Sequence, residues 1–271
     1  MDLKSYFQRI GFEGEPAPTL ETLALLQRRH AEAIPFENLD SLLRQPVRLD
    51  LPSLEQKLVH RGRGGYCFEQ NHLFRAALEA IGFTVTGLAA RVLWNIPEGV
   101  IPPRSHMLLR VDLDGRSWIA DVGFGVLTLT APLMLEADTE QPTPHETFRL
   151  APRNGEFVME SRIRDRWAPM YRFDLNPQER VDYEVSNWHV STHPESLFVN
   201  ALLASRVAPG ARHTLFNNEL STHSTEAGTE KRLLVNEGEL RNALENVIGL
   251  NLPAGPDVDA LLERIAATPA P

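Results

Sequence analysis

The sequence predicts a mixed α+β fold made of three modules. Residues 1–83 carry apolar side chains at helical spacing, residues 84–195 consist mainly of short alternating apolar segments, and residues 196–271 mix the two patterns. A chain of 271 residues is long enough for about two domains of ordinary size or three small ones. We therefore expect a helical module, a β-rich module and a mixed module, in that order.

The first module is predicted to begin with three helices. Leu3, Phe7 and Ile10 mark the apolar face of the first helix, and Gly11 ends it. Thr19 is the expected N-cap of the second helix. Ser53, followed by Gln56 three residues later, predicts a capping box for a third helix that runs to about residue 60.

A fourth helix is expected to start near Cys67, directly after a glycine-rich stretch with Gly62, Gly64 and Gly65. Its apolar positions have helical spacing, and Gly82 stands where a C-terminal glycine cap belongs. Cys67 is therefore predicted to lie in the first turn of this helix.

The middle module is predicted to be mainly β. Its candidate strands are TVTGLAARVLW, HMLLRVDL, RSWIADVGF, ETFRLAP, GEFVMESR and APMYRFDL. In the last module, SLFVNALLASRV fits a helix or a strand, and TEKRLLVN favours a strand. ELRNALENVIGL and DVDALLERIAA favour helices.

Composition excludes several classes of protein. The net charge is −9 and there is no run of Lys or Arg, so nucleic acid is not an expected partner. No stretch approaches the roughly 20 consecutive apolar residues of a membrane helix, and the N-terminus has no apolar signal core. With one cysteine the chain can form neither an internal disulfide nor a zinc site of several thiolates. We expect a cytoplasmic protein that needs no metal.

Cys67 has the surroundings of a nucleophile. The first turn of a helix presents unpaired backbone N–H groups and the positive end of the helix dipole, which favour a thiolate. The same N–H groups can stabilise an oxyanion. The alternative is that this lone cysteine is a small buried apolar side chain.

A β-hairpin predicts a partner pair for that cysteine. Asp114-Gly115 is a favoured two-residue turn, and it pairs Leu113 with Arg116. The same register places His106 and Asp121 on one face of the hairpin as diagonal neighbours. Their backbone positions are then roughly 7–8 Å apart in space. The hairpin therefore predicts a His106–Asp121 hydrogen bond.

The other face of the hairpin is an apolar, core-facing surface. Its residues are Met107, Leu109, Val111, Leu113, Trp118, Ala120 and Val122. Taken singly, His106 fits a structural histidine and Asp121 fits an acid that caps the GFG turn. Their coincidence with Cys67 favours a Cys-His-Asp triad, although the sequence alone cannot bring residue 67 next to residue 106.

These motifs resemble the arylamine N-acetyltransferases of bacteria. The matching segments are RGGYCFEQN, HMLLRV and IADVGFG, with further likeness in IPFENLD, ETFRL and SNWHVSTHPESLF, so that nearly the whole chain is covered. The resemblance implies a helical bundle over 1–83, a β-barrel over 84–195 and an α/β lid over 196–271, with a cysteine-proteinase-like Cys-His-Asp arrangement.

The resemblance also implies a reaction. Acetyl-coenzyme A is the expected donor, and an arylamine, arylhydrazine or hydrazide is the expected acceptor. Cys67 would take the acetyl group as a thioester in a ping-pong mechanism, His106 would hold the thiolate and later accept the proton of the amine, and Asp121 would orient His106.

The binding residues follow from the same resemblance. The glycine-rich segment after the aspartate, Gly123, Phe124 and Gly125, is expected near coenzyme A. Phe36, Phe68 and Phe198 are candidate aromatic walls for the acceptor, since such linings are usual in small-molecule pockets.

Three other functions stay open. An amide synthase of the same superfamily would move a larger acyl group, and a thiol hydrolase would use the same triad without an amine acceptor. A catalytically silent ligand-binding protein would show an ordinary thiol at Cys67. The sequence also leaves open the preferred acyl donor, the natural acceptor and a homo-oligomer.

Overall fold

The computed structural model describes residues 1–97, 99–224 and 227–268 and shows a mixed α+β fold. The predicted fold class is confirmed: helices precede a large antiparallel sheet that approaches a barrel, and a smaller sheet with helices follows it. The division into modules at residues 83/84 and 195/196 stays a prediction.

The first helix ends and the second begins where the sequence predicts. α1 spans Leu3–Ile10 and is ended by Gly11, whose φ of 63° lies in the left-handed region. α2 spans Leu20–Ala33, and the Thr19 side chain accepts a hydrogen bond from the Thr22 N–H. Two short elements that the sequence does not predict follow, β1 (Phe36–Glu37) and α3 (Leu39–Leu42).

The predicted capping box at Ser53 is wrong. α4 spans Leu51–Leu54 and continues as a π-helical turn over Glu55–His60, so that the helix starts before Ser53. The N-cap is Asp50, whose Oδ1 accepts a hydrogen bond from the Ser53 N–H at 3.0 Å. Proline is tolerated in the first helical turn, and Pro52 allows this earlier start.

α5 spans Cys67–Ile81 and confirms the fourth predicted helix at both ends. Gly82 ends it with a φ of 106° and donates its N–H to the carbonyls of Leu78 and Glu79. α5 is buried along most of its length, so tertiary packing fixes its direction as well as its position.

The large sheet consists of eight antiparallel strands in the order β5-β4-β3-β2-β9-β8-β7-β6. In chain order the strands are β2 (Thr84–Val92), β3 (His106–Leu113), β4 (Arg116–Ala120), β5 (Leu133–Met134), β6 (Gln141–Pro142), β7 (Thr147–Arg153), β8 (Glu156–Ile163) and β9 (Arg166–Phe173). The segment RSWIADVGF is a strand only as far as Ala120, because its last four residues leave the sheet next to the start of α5.

The β3–β4 hairpin has the predicted register, with Leu113 opposite Arg116 and Leu109 opposite Ala120. The apolar face that contains Met107 and Val111 packs on the helical core around α5. The opposite face is also buried, since Leu108 and Ile119 belong to the core inside the large sheet. The hairpin thus lies between two apolar cores.

α6 (Arg180–Thr192) is a helix within the part of the chain that was expected to be mainly β. Its large apolar side chains Val181, Val185 and Trp188 face solvent, whereas Tyr183 and Asn187 are buried. The sequence did not predict this helix, because its buried face carries polar and aromatic side chains while several of its apolar side chains are exposed. The usual pattern of a buried apolar face is therefore absent.

The C-terminal part contains the second sheet, in the order β1-β10-β11-β12-β13. The ambiguous segment SLFVNALLASRV is helix in its first half and strand in its second. In chain order the elements are α7 (Leu197–Asn200), β10 (Leu203–Ala208), β11 (Ala211–Phe216), β12 (Glu219–Ser224), β13 (Gly228–Leu233), α8 (Glu237–Asn242) with a π-helical extension (Ala243–Ile248), and α9 (Pro256–Ala266).

β1 connects the beginning of the chain to this second sheet. Phe36 lies opposite Ser205 of β10, and it also forms a bridge with Gly65, just before α5. The start of α5 is therefore tied to the C-terminal sheet through two residues of the N-terminal segment.

Within residues 1–97, 99–224 and 227–268, no helix has both the length and the apolar character required to cross a bilayer. The cytoplasmic location and a homo-oligomer stay predictions from the sequence.

Candidate active site

Cys67 is the first residue of α5. It is 4% exposed, and its Sγ lies 3.5 Å from the carbonyl oxygen of Ser105, the residue before β3. The first hydrogen bond of the helix runs from the Gln70 N–H to the Tyr66 carbonyl, so the Cys67 and Phe68 amides precede it. The sulfur thus sits at the positive end of the α5 dipole, as the sequence predicts.

The hairpin brings His106 and Asp121 together. His106 begins β3 and Asp121 directly follows β4, and His106 Nε2 lies 2.7 Å from Asp121 Oδ2. Both side chains are almost completely buried. The predicted hydrogen bond between His106 and Asp121 is confirmed.

The His106 ring links the aspartate to the cysteine. The Cys67 side chain lies close enough to the ring to raise the pKa of His106 by its charge and hydrogen bonding. Because Nε2 is occupied by Asp121, the nitrogen that faces Cys67 is Nδ1. The fold thus joins Cys67, His106 and Asp121 in one chain of contacts.

The charges of this group favour an imidazolium. Burial disfavours the charged ring, but the charge and hydrogen bond of Asp121, followed by those of Cys67, raise the pKa of His106 to about 10. Burial also opposes ionisation of Asp121, but His106, Asn71 and the Gly123 N–H hold the pKa of this carboxyl below its ordinary value. A charged pair at His106 and Asp121 is therefore the stable state near neutral pH.

Asn71 is a contact of the site that the sequence reasoning missed. Its Nδ2 donates to Asp121 Oδ1 at 3.0 Å and to the Met107 carbonyl at 2.8 Å, and its Oδ1 accepts from the Val122 N–H at 3.1 Å. The available signal was its position four residues after Cys67, which places both residues on one side of α5.

Two aromatic rings enclose the His106 imidazole. The ring of Phe124 meets it edge-on with centroids 5.3 Å apart, and Tyr171 of β9 lies at 4.8 Å. Phe124 comes from the predicted cofactor segment, whereas nothing in the sequence pointed to Tyr171. These rings exclude water from His106, which strengthens its interaction with Asp121.

Buried ion pairs support the start of α5. Arg63 donates from Nε and Nη2 to Glu37 Oε1 at 2.9 and 2.6 Å, and Nη2 also contacts Asp40. Lys57 pairs with Asp40 at 2.7 Å and with Glu69 at 2.6 Å. Despite Lys57, burial and the charges of Glu37 and Asp40 raise the pKa of Glu69 to about 7.

The predicted cofactor glycines are both buried, and their N–H groups already have partners within the chain. Gly123 donates to Asp121 Oδ1 at 2.8 Å, and Gly125 donates to Thr128 Oγ1 at 2.8 Å. A coenzyme bound at this segment would therefore contact atoms other than the N–H groups of Gly123 and Gly125.

The three candidate acceptor phenylalanines belong to one apolar cluster but differ in burial. Phe36 and Phe198 are half-buried, with ring centroids 6.1 Å apart, and Phe198 is 5.3 Å from the ring of Tyr66. We call Phe36, Phe198 and Tyr66 the aromatic wall. Phe68 is fully buried in the helical core and packs on Tyr66 and Tyr183, so its role in acceptor binding stays a prediction.

Gly123 allows the end of the hairpin to approach the nucleophile helix. A Cβ atom at this position would lie 2.7 Å from the Cys67 Cα and 2.8 Å from Asn71 Nδ2. We expect Gly123→Ala to lower the free energy of unfolding by about 1–3 kcal/mol, because the backbone at Cys67 cannot yield without moving α5. We also expect its activity to fall by about 100-fold, the cost of a displacement of about 1 Å.

Gly238→Ala in α8 is the matched control, since its Cβ would meet nothing closer than Asn236 Oδ1 at 3.5 Å. That change should raise the free energy of unfolding by about 0.4–1 kcal/mol and leave activity unchanged. Thermal unfolding and steady-state kinetics of both variants check this, and equal behaviour of the two would contradict the close-approach argument.

The described part of the chain contains no group of three or more His, Cys, Asp or Glu side chains arranged to hold a metal ion.

A cysteine at a helix N-terminus beside a buried histidine and aspartate is typical of thiol enzymes that transfer or hydrolyse acyl groups. Comparison with known proteins shows which family of these thiol enzymes the chain belongs to. A model of the N-acetyltransferase family matches residues 19–257. The chain belongs to the arylamine N-acetyltransferase family and is an acyltransferase of that family.

The similarity to individual relatives extends over almost the whole chain. The arylamine N-acetyltransferase of Mycobacterium tuberculosis is 41% identical over 98% of this chain and 95% of its own length, and that of Escherichia coli is 41% identical over 92% and 89%. Among solved structures, the M. tuberculosis enzyme superposes with a TM-score of 0.94 at 39% identity, covering 97% of this chain and 100% of its own. The Mycobacterium marinum enzyme, solved in complex with CoA, gives 0.94 at 39% identity, with coverage of 97% and 99%.

Proposed function

We propose that this chain transfers an acetyl group from acetyl-coenzyme A to the amino nitrogen of arylamines, arylhydrazines or hydrazides, through an acetyl-Cys67 thioester and in ping-pong order. The observation that carries the proposal is the buried contact chain from Cys67 through His106 to Asp121. Membership of the arylamine N-acetyltransferase family supports acetyl as the group transferred and arylamines as the class of acceptor.

Each of the three residues has one role in this proposal. Cys67 is the nucleophile, and its thiolate is paired with the His106 imidazolium at the N-terminus of α5. His106 carries the proton between the reacting groups. Asp121 accepts a hydrogen bond from His106 Nε2 and so keeps Nδ1 directed at the sulfur.

The first half-reaction exchanges one thioester for another. The Cys67 sulfur attacks the acetyl carbonyl carbon, a new C–S bond forms, and the C–S bond to the coenzyme breaks. The leaving coenzyme sulfur takes the proton from His106, so coenzyme A departs as a thiol. Because the attacking and leaving thiols are of like basicity, the exchange has little thermodynamic cost.

The second half-reaction makes the amide. The acceptor nitrogen attacks the acetyl carbon of the Cys67 thioester, His106 takes the proton that the nitrogen loses, and the Cys67 thiolate leaves. The original thiolate–imidazolium pair is thereby restored. Burial of Cys67 and His106 protects the thioester from water between the two steps.

The binding residues are also proposals. We place the coenzyme near Gly123, Phe124 and Gly125, as the family resemblance of this segment implies, and a relative solved in complex with CoA supports coenzyme A as the donor. Among the three predicted acceptor residues, Phe36 and Phe198 form part of the aromatic wall, and the ring of Phe36 packs against Gly125. The acceptor ring therefore stacks at this wall, next to the coenzyme segment.

Intact-protein mass spectrometry tests the mechanism. After mixing with acetyl-coenzyme A alone, we expect a gain of one acetyl group that maps to Cys67, the only cysteine of the chain. Addition of an arylamine such as an aminobenzoate should remove the acetyl group and yield the N-acetylated product.

Cys67→Ala is the control and should show neither the adduct nor the product. Acetyl transfer that persists in this variant would contradict the nucleophile assignment. An adduct that forms only with a larger acyl thioester would point to an amide synthase, and release of acetate without an amine acceptor would point to a hydrolase. Either result would overturn the proposed reaction.

A further inference from the structure

We propose that Asn71 is a positioning residue that holds the Asp121 carboxylate in the one rotation in which its Oδ2 accepts from His106, and that ties this carboxylate to the helix of the nucleophile. The inference rests on the proposed function, because it assigns a role within the same triad. It concerns a side chain that touches none of the reacting atoms.

The orientation of the Asn71 amide is fixed by its backbone partners. The Val122 N–H can only donate and the Met107 carbonyl can only accept, so the oxygen of the amide must face Val122 and its nitrogen must face Met107. The nitrogen is then left to donate its second hydrogen to Asp121 Oδ1 at 3.0 Å. A flipped amide would lose all three hydrogen bonds.

The Asp121 carboxylate is held from three sides. Oδ1 accepts from Asn71 Nδ2 and from the Gly123 N–H, and Oδ2 accepts from His106 Nε2. Rotation of the carboxylate about its bond to Cβ would break the two contacts at Oδ1. Hydrogen bonds to both oxygens also stabilise the charged form in a place where the exposed fraction of Asp121 is 0%.

Asn71 also connects the two elements that carry the triad. It lies one helical turn after Cys67 on α5, and its partners lie on β3 and directly after β4. Its exposed fraction is 0%, so no water competes for these contacts. The same amide thus fixes the rotation of Asp121 and the distance between the hairpin and the start of α5.

The double-mutant cycle of Asn71→Ala with Asp121→Asn tests whether Asn71 acts through Asp121. We expect Asn71→Ala alone to lower kcat/KM by about 10- to 100-fold, the range observed when outer partners of a metal-bound histidine are removed. In the Asp121→Asn background the same change should cost less than about threefold, since the carboxylate that it positions is already gone.

The pH dependence of Cys67 alkylation by iodoacetamide gives a second readout that needs no acetyl transfer. The titratable groups that face the pair are Asp121 after β4 and Tyr171 on β9, next to His106, together with Tyr66 before α5 and Tyr183 on α6, which interact with Cys67. We expect Asn71→Ala to loosen the contact of Asp121 with the His106 ring and so to slow alkylation at pH 6 by about 10-fold. If wild-type protein fails to transfer acetyl, this readout still tests the positioning.

Asn71→Asp is the second variant, and it keeps the test decisive if Asn71→Ala does not fold. It keeps the volume and the acceptor for Val122 but removes the amide donor to Asp121, and it should show the same loss of alkylation rate at neutral pH. Asn218→Ala is the matched control, because Asn218 is buried and donates to the Ala266 and Thr268 carbonyls far from the site.

The control should lose stability but keep both its kinetics and its alkylation profile. Additive effects in the cycle, or an unchanged alkylation profile in folded Asn71→Ala and Asn71→Asp, would reduce Asn71 to a structural residue and overturn the proposal.

Discussion

Asp121→Asn is expected to lower kcat/KM for acetyl transfer by about 10³- to 10⁴-fold, the size of the loss when the aspartate of a serine-protease triad is changed in the same way. Two donors, Asn71 Nδ2 and the Gly123 N–H, point at the Oδ1 position. The new amide must therefore keep its oxygen there and turn its NH₂ group towards His106 Nε2.

This orientation enforces the wrong tautomer of His106. An NH₂ group can only donate, so Nε2 becomes an acceptor and the ring hydrogen moves to Nδ1, the nitrogen that faces Cys67. A neutral ring that carries its hydrogen on Nδ1 cannot take the proton of the thiol. Both half-reactions should slow, because both need this nitrogen.

Steady-state kinetics and the rate of acetyl-Cys67 formation measure the effect. Asp114→Asn in the hairpin turn is the matched control, since Asp114 is exposed and its φ of 50° suits asparagine equally well. The control should keep full activity. Full activity in Asp121→Asn would remove the orienting role from the mechanism.

Arg63→Ala is expected to lower the free energy of unfolding by about 3–5 kcal/mol. Glu37 has an exposed fraction of 0%, and its Oε1 accepts two hydrogen bonds from Arg63. After the substitution the nearest remaining cation is Lys57, 3.9 Å from the same oxygen and already paired with Asp40 and Glu69. The buried Glu37 carboxylate would keep the Leu39 N–H at Oε2 but would lose its closest cation.

A cavity of about 510 Å³ lies beside Arg63, and water that enters it can reduce the loss of stability only in part. Lys57 and Asp40 line this cavity and keep side-chain exposures of 14% and 13%, whereas Glu37 does not line it. The loss should therefore come mainly from Glu37, and a joint Arg63→Met and Glu37→Gln change should recover most of it, because no unpaired charge then remains at that position.

Chemical unfolding of the variants measures this difference. Arg162→Ala is the control, since its ion pair with Glu140 is exposed and should contribute less than about 1 kcal/mol. Equal losses in Arg63→Ala and Arg162→Ala, or no recovery in the joint variant, would contradict the account.

Local sequence signals predicted the parts of the site that depend on short-range structure. The Asp114-Gly115 turn determined the register of β3 and β4, and with it the meeting of His106 and Asp121. The glycines before Cys67 and the cap at Gly82 defined α5 at both ends. These features depend on backbone geometry within a few residues, which is visible in the sequence.

Other parts depend on packing between distant segments and could not be predicted. Asn71 is an ordinary polar helix residue until its partners on the hairpin are known. Tyr171 reaches His106 only because β9 closes beside β2. β1 is two residues long, too short to show any periodicity, although it links Gly65 to the second sheet.

The capping error at Ser53 has a different origin. The motif was present, but a better cap, Asp50, stood three residues earlier and was compatible with Pro52. When two N-cap candidates compete, the sequence does not decide which one the packing of the helix selects.

The joining of α5, the hairpin and β1 has a consequence for the nascent chain. Cys67 leaves the ribosome well before His106, Asp121 and β10, so its sulfur is at first an unremarkable thiol with no base beside it. Only the late docking of the hairpin against α5 supplies the imidazole, and only the pairing of β1 with β10 completes the support of the helix start. The chemistry proposed for Cys67 therefore becomes possible only after a segment made some forty residues later has docked against α5.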